Sequence, residues 1–124
     1  MTDVTVYSIV YCEKGGSKLE IQLKKGLLEI CILAAILNED SYGYRIIETI
    51  RPYIRISEST LYPILRRLGE SGLLEVRPVE YNGRTRKYYH ITQAGIDKVE
   101  KFLDDWKEIM TIYDFVNKEI GMRS

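Results

Sequence analysis

The chain has 124 residues, enough for one small domain built around a single core. Its 18 basic and 18 acidic residues cancel in number, which excludes a uniformly basic nucleic-acid coat. The longest apolar run, Ile30 to Leu37, falls far short of the roughly 20 residues a bilayer span needs, and two cysteines without a C-x-x-C spacing exclude a disulfide or zinc framework.

In chain order, residues 1–17 form an N-terminal extension. Val4 to Tyr11 is rich in Val, Ile, Thr and Tyr and reads as a strand or an arm, followed by the connector Glu13-Lys14-Gly15-Gly16-Ser17. The start lacks the charged segment and small-residue cleavage site of a signal peptide, so a cytoplasmic location is expected. Residues 18–91 carry the pattern of a winged helix-turn-helix. Its first helix spans Leu19 to Leu37, with Leu23, Leu27, Ile30 and Ala34 at helical spacing and Leu28, Cys31 and Ala35 widening the apolar face. A second helix is expected from Ser41, as N-cap, to the residue before Pro52, burying Ile46, Ile47 and Ile50.

Ser57 is a second cap, opening a recognition helix over 57–71. Leu61, Ile64, Leu65 and Leu68 recur at i, i+3, i+4, i+7 and define the inward face. Ser59, Tyr62, Pro63 and Arg66 lie opposite them, with Thr60 and Arg67 on one flank. Hydroxyls and guanidinium forks presented together suit phosphates and base edges in a major groove. Pro63 removes the donor that would bond the Ser59 carbonyl, so the first turn is expected to start late or to be slightly opened. Tyr62 either packs against the wing or touches a phosphate.

The wing is expected over 80–90. Two strand patterns meet at Asn82-Gly83, the strongest short signal for a primed two-residue turn. Arg84, Arg86 and Lys87 crowd its return strand, as expected of a hairpin lying on a phosphate backbone. Charges on an exposed hairpin also serve solubility and edge protection; beside the preceding helix, the nucleic-acid reading is favoured. Alternation sends one of Tyr88 and Tyr89 inward. His90, the single histidine, has no ligand cluster at coordinating spacing and reads as a solvated strand residue, so neither metal nor cofactor is expected. The charge distribution agrees: residues 51–90 hold eight basic and four acidic residues, whereas residues 1–50 and 91–124 each hold five and seven.

Residues 92–124 form a final helix capped by Thr92 and ending near Ile120 or Gly121, roughly 40 Å long. Val99, Phe102, Leu103, Trp106, Ile109, Met110, Tyr113 and Ile120 make an apolar stripe that a second copy of the helix would cover. A homodimer is therefore expected; the alternative is that the stripe folds back onto the chain's own first helix. No arrangement of nucleophile, base and oxyanion donors is visible, so the chain is not expected to be an enzyme.

The residues resemble the PadR family of bacterial and archaeal transcriptional regulators. The resemblance spans Leu19 to about Met110 and rests on four blocks: Gly26-Leu27-Leu28-Glu29 with Ile32-Leu33; Tyr42-Gly43-Tyr44 with Ile46-Ile47; Ser59-Thr60-Leu61-Tyr62-Pro63-Ile64-Leu65 with Leu68 and Gly72-Leu73; and Gly83-Arg84 with Arg86-Lys87-Tyr88-Tyr89, Thr92 and Gly95. The Leu-Tyr-Pro and Lys-Tyr-Tyr blocks separate it from MarR-type winged helices. The resemblance implies a mainly α fold with a small β-hairpin and a dimer held by the C-terminal helix and the first helix, including Leu23 and Leu27. The single C-terminal helix matches the smaller subfamily.

The same resemblance implies a dimeric repressor reading a palindrome in double-stranded DNA. Ser57, Ser59, Thr60, Tyr62, Pro63, Arg66 and Arg67 would serve the groove, and Arg84, Arg86 and Lys87 the flanking phosphates. In some members planar aromatic compounds bind between subunits near an aromatic residue of the final helix, a place Trp106 shares. The alternative is a winged-helix module that holds another protein instead of DNA, motivated by the neutral total charge and the N-terminal strand.

Overall fold

The computed structural model describes residues 18–123; the expected strand at Val4–Tyr11, and Cys12, lie outside them. Helix α1 (Lys18–Ala35) is followed by α2 (Gly43–Ile50), α3 (Glu58–Glu70), the antiparallel strands β1 (Leu74–Tyr81) and β2 (Arg84–Ile91), and α4 (Gln93–Gly121). Leu28, Ile32, Leu33 and Ile36 from α1 and its end meet Ile46, Ile47 and Ile50 of α2 and Leu61, Ile64, Leu65 and Leu68 of α3 in one core. Leu74, Tyr89, Ile91 and Val99 close it from the wing and α4.

The inward faces of α2 and α3 are those their spacing predicts. In α1 the buried stripe is instead Leu28, Ile32 and Leu33, while Leu23 and Ala34 are exposed and Leu27 and Ile30 half-buried. The reason is that α1 is apolar over most of its circumference between Leu27 and Ile36, so periodicity alone leaves its rotation open. Leu23, Leu27, Ile30 and Ala34 thus form a second, outward face.

Local chemistry sets the remaining boundaries. Ser41 does not cap α2. Tyr42 occupies the N-cap without a side-chain hydrogen bond. Ser41 is buried and pairs with Tyr89 as an isolated bridge, the Tyr89 N–H donating to the Ser41 carbonyl at 2.7 Å, which adds a one-residue third strand to the wing. The Ser57 hydroxyl accepts from the Thr60 N–H at 3.3 Å and starts α3 as expected. Pro63 lies within α3, which runs as one helix from Glu58 through it; the expected late start is absent, because Ser57 organises the first turn ahead of it.

At the other end of α3, Gly72 takes φ +79, its N–H donates to the Gly69 carbonyl at 3.0 Å, and the Leu73 N–H reaches the Leu68 carbonyl at 2.9 Å. This paired closure turns the chain sharply into β1. The hairpin register pairs Tyr81 with Arg84 across Asn82 (φ 50) and Gly83 (φ 77), both in the left-handed region the primed turn demands. Thr92 fastens the base of the wing: its hydroxyl donates to the Gly72 carbonyl at 2.7 Å and accepts from the Gly95 N–H at 3.2 Å, capping α4.

Candidate nucleic-acid interface

The exposed side of α3 carries Ser57, Ser59, Thr60, Tyr62, Pro63 and Arg66, all turned away from the core. Three of them are linked: the Ser57 hydroxyl donates to Thr60 Oγ1 at 3.1 Å and lies 3.0 Å from Ser59 Oγ. This gives the helix start a preorganised set of hydroxyls.

Arg67 does not join them. Its Nε and one terminal nitrogen donate to a single Glu29 oxygen at 3.2 and 2.9 Å, fixing the side chain on α1. It lies about 100° around the axis from Arg66, on the flank that packs toward the first helix.

On the opposite flank Tyr62, though exposed, leans its hydroxyl end over the start of α2. A Cβ at Gly43, the first residue of α2, would overlap the Tyr62 hydroxyl. Tyr62 also lines, with Arg66, Lys87 and Tyr89, a cleft of about 540 Å³ between α3 and the wing. Burial in this region pushes the Tyr89 phenol above its ordinary value, and the neighbouring Tyr62 adds to the rise.

The wing's basic residues divide between its two faces. Lys87 alternates with Thr85 and Tyr89 on the side that faces α3, whereas Arg84, Arg86 and Tyr88 point to the other side. Arg84 and Lys87 are exposed. Arg86 is half-buried, its guanidinium 4.4 Å from the Tyr42 ring centre and 5.2 Å from that of Tyr81, while Tyr42 meets Tyr88 edge-on at 5.4 Å. Arg86 therefore braces the wing against the start of α2. The Tyr42 signal was present in the Tyr-Gly-Tyr block, but its wing partner lies more than 40 residues away.

His90 is held at the wing base, 2.8 Å from Asp40, whose other oxygen lies 3.6 Å from Arg77. Among the described residues no group of three or more His, Cys, Asp or Glu side chains is placed to hold a metal. No helix among them is long and apolar enough to cross a membrane.

The final helix leaves the body after its first turns. Val99 is only 8% exposed and belongs to the domain's own core, which removes it from any surface a partner could reach. Phe102 and Trp106 are half-buried and stack at 5.4 Å with an interplanar angle of 24°. From Leu103 onward every described residue except Trp106 is exposed, including Ile109, Met110, Tyr113, Val116 and Ile120.

Three helices around one core, the third presented outward beside a hairpin, define a winged helix-turn-helix protein. Residues 32–101 match the model of the transcriptional regulator PadR-like family. An uncharacterised protein of Lysinibacillus sphaericus is 34% identical over 95 residues, which make up 73% of this chain and 87% of that protein. The X-ray structure of a PadR-like transcription factor from Bacteroides fragilis superimposes with a TM-score of 0.72 at 32% identity, covering 81% of this chain and 99% of that one. Bacillus subtilis PadR, solved in complex with operator DNA, shares the fold at 22% identity and a TM-score of 0.59, over 62% of this chain and 46% of that chain. The chain belongs to the PadR-like family of transcriptional regulators, which are not enzymes.

Proposed function

We propose that the protein is a homodimeric, DNA-binding repressor of transcription. The observation that carries the reading is the common exposure of Ser59, Pro63 and Arg66 on α3 with Lys87 and Arg84 on the adjoining wing. A helix flanked by a basic hairpin offers base-reading groups between phosphate-binding ones, the division of labour that groove recognition needs. Binding of operator DNA by Bacillus subtilis PadR, which has the same fold, supports it.

In this reading α3 enters the major groove with Ser59 and Arg66 toward the bases and Ser57 and Thr60 at the groove's edge, and the wing lies on flanking phosphates. Tyr62 shapes the helix edge. The exposed apolar residues of α4 and the outward face of α1, with Leu23 and Leu27, meet the same surfaces of a second copy. Two recognition helices then address half-sites of a palindrome about one helical turn apart. The domain boundaries follow: residues 18–91 read DNA, residues 92–124 dimerise, and residues 1–17 precede both.

Trp106, stacked on Phe102, lines a cleft with Leu103 and Met110, where the two acids Glu100 and Asp104 outnumber the one cation Lys107, and this suits a planar cationic aromatic effector at the subunit boundary. Such an effector would release the operator. Loss of Trp106 fluorescence on adding a planar cationic dye to the dimer supports this; an unchanged spectrum removes the effector from the reading.

The deciding experiment is binding to a labelled fragment of the gene's upstream region, titrated against salt. Selective, saturable binding that weakens with a log–log slope near −0.9 per phosphate neutralised supports the repressor. Reversing Arg84 and Lys87 to Glu should then abolish binding with the fold intact. Binding no better than to random DNA returns the reading to a protein-interaction module.

A further inference from the structure

On the α1 side of the recognition helix, the side away from the wing, Lys24, Arg51, Arg55, Ser57 and Thr60 line one cleft of about 730 Å³. Its three cations come from three places in the fold: the middle of α1, the end of α2 and the turn that enters α3. None of the residues lining the cleft is acidic. Arg51 and Arg55 are exposed, and the Ser57 and Thr60 hydroxyls stand at the positive end of the α3 dipole.

Thr60 and Tyr62 lie about 160° apart around α3. Tyr62 marks the wing flank and Thr60 the cleft flank, with Ser59, Pro63 and Arg66 between them. A duplex lying on that middle face would present backbone to both flanks, and the wing's Lys87 answers only one. From this we infer that the cleft is a second backbone clamp: Lys24, Arg51 and Arg55 bind a DNA phosphate on the side of the recognition helix opposite the wing, with the Thr60 hydroxyl, held by the Ser57 hydroxyl that donates to it, as its neutral donor. The inference rests on the DNA-binding reading above and adds three residues that the sequence pattern did not single out.

A clamp on phosphate fixes register without reading sequence, so its loss weakens all DNA alike. The test compares the full chain with the double variant Arg51→Gln/Arg55→Gln, and with Arg51→Lys/Arg55→Lys, on the upstream fragment and on random DNA across a salt series. The expected result is that the Gln variant binds both DNAs about tenfold or more weakly and loses about one unit of salt slope per phosphate released, while the Lys variant keeps the wild-type slope. An unchanged slope in the Gln variant, with wild-type binding intact, overturns the clamp and leaves the repressor reading standing. Wild-type protein that binds neither DNA overturns both. Sodium phosphate titrated against the free proteins separates a third case: inorganic phosphate protecting wild type but not the Gln variant against thermal unfolding, with DNA slopes equal, assigns the cleft to a free anion and also overturns the clamp. Circular dichroism of each variant shows that these exposed substitutions leave the fold in place.

Discussion

The Arg67 guanidinium closes on a single Glu29 oxygen with two hydrogen bonds, joining the recognition helix to α1 across 38 residues of sequence. Glu29 is the more buried partner and Arg67 is 41% exposed, so solvent screening keeps the pair modest. Arg67→Gln is expected to cost about 1 kcal/mol or less, a fall of a few degrees in Tm by thermal melting. Its salt slope on DNA should equal that of wild type; a loss comparable to that from Arg66→Gln would return Arg67 to the groove.

Tyr62 and Gly43 should be energetically coupled. Alanine at a helix's first position ordinarily does no harm, yet here its Cβ meets the Tyr62 hydroxyl. Because Tyr62 is partly exposed and can swing outward, Gly43→Ala is expected to cost about 1 kcal/mol rather than unfold the domain. Tyr62→Ala should relieve that cost, giving a coupling of at least about 0.5 kcal/mol in a double-mutant cycle by urea denaturation. Strict additivity would show that the contact carries no energy.

Gly95→Ala should be harsher. A Cβ there collides with the Leu73 carbonyl and comes within 2.6 Å of Ile91 Cγ1, and the first of these is backbone that cannot step aside. A loss of about 2 to 3 kcal/mol is expected, read as a lower urea midpoint at unchanged m-value.

Dimerisation should depend on the far half of α4 and not on its first turns. Tyr113→Glu places a charge amid Ile109, Met110, Val116 and Ile120, all exposed on the protomer. Sedimentation should show a monomer with native circular dichroism, and the concentration dependence of Tm expected of the wild-type dimer should vanish. Val99→Ala, within the domain core, should lower stability by about 1 kcal/mol or more and leave the dimer's hydrodynamic size as it was. The opposite pattern would place the interface at the helix start.

Burial pushes the Cys31 thiol above its ordinary value, because the thiolate would lose its water among the core residues it packs on. The folded state thus holds its proton more tightly than the unfolded chain. That contribution to stability is complete below the ordinary thiol pKa and is lost as pH rises from it through the folded value. In Cys12→Ser protein, alkylation of Cys31 by iodoacetamide at pH 8 should be slow until urea unfolds the domain, and mass spectrometry follows it directly. Rapid labelling of native protein would contradict the burial.

Sequence alone determined the inward face of α3, the caps Ser57 and Thr92, the turn at Asn82-Gly83 and the long exposed stripe of α4. Each is written in residues within a few positions of one another, where helix periodicity, a hydroxyl reaching the next turn, or positive φ leaves one favourable arrangement. Only the tertiary structure decided the rotation of α1, since a helix apolar around most of its girth can bury several stripes equally well and the choice falls to the neighbours that pack on it. It also moved Ser41 from a cap to a bridge with Tyr89, set Arg67 on Glu29, laid Arg86 against Tyr42, and gathered Lys24, Arg51 and Arg55 into one cleft. These are charged or polar groups meeting partners far away in the chain, and which ones meet depends on how the helices dock, because the hydrophobic burial that docks them has no direction of its own.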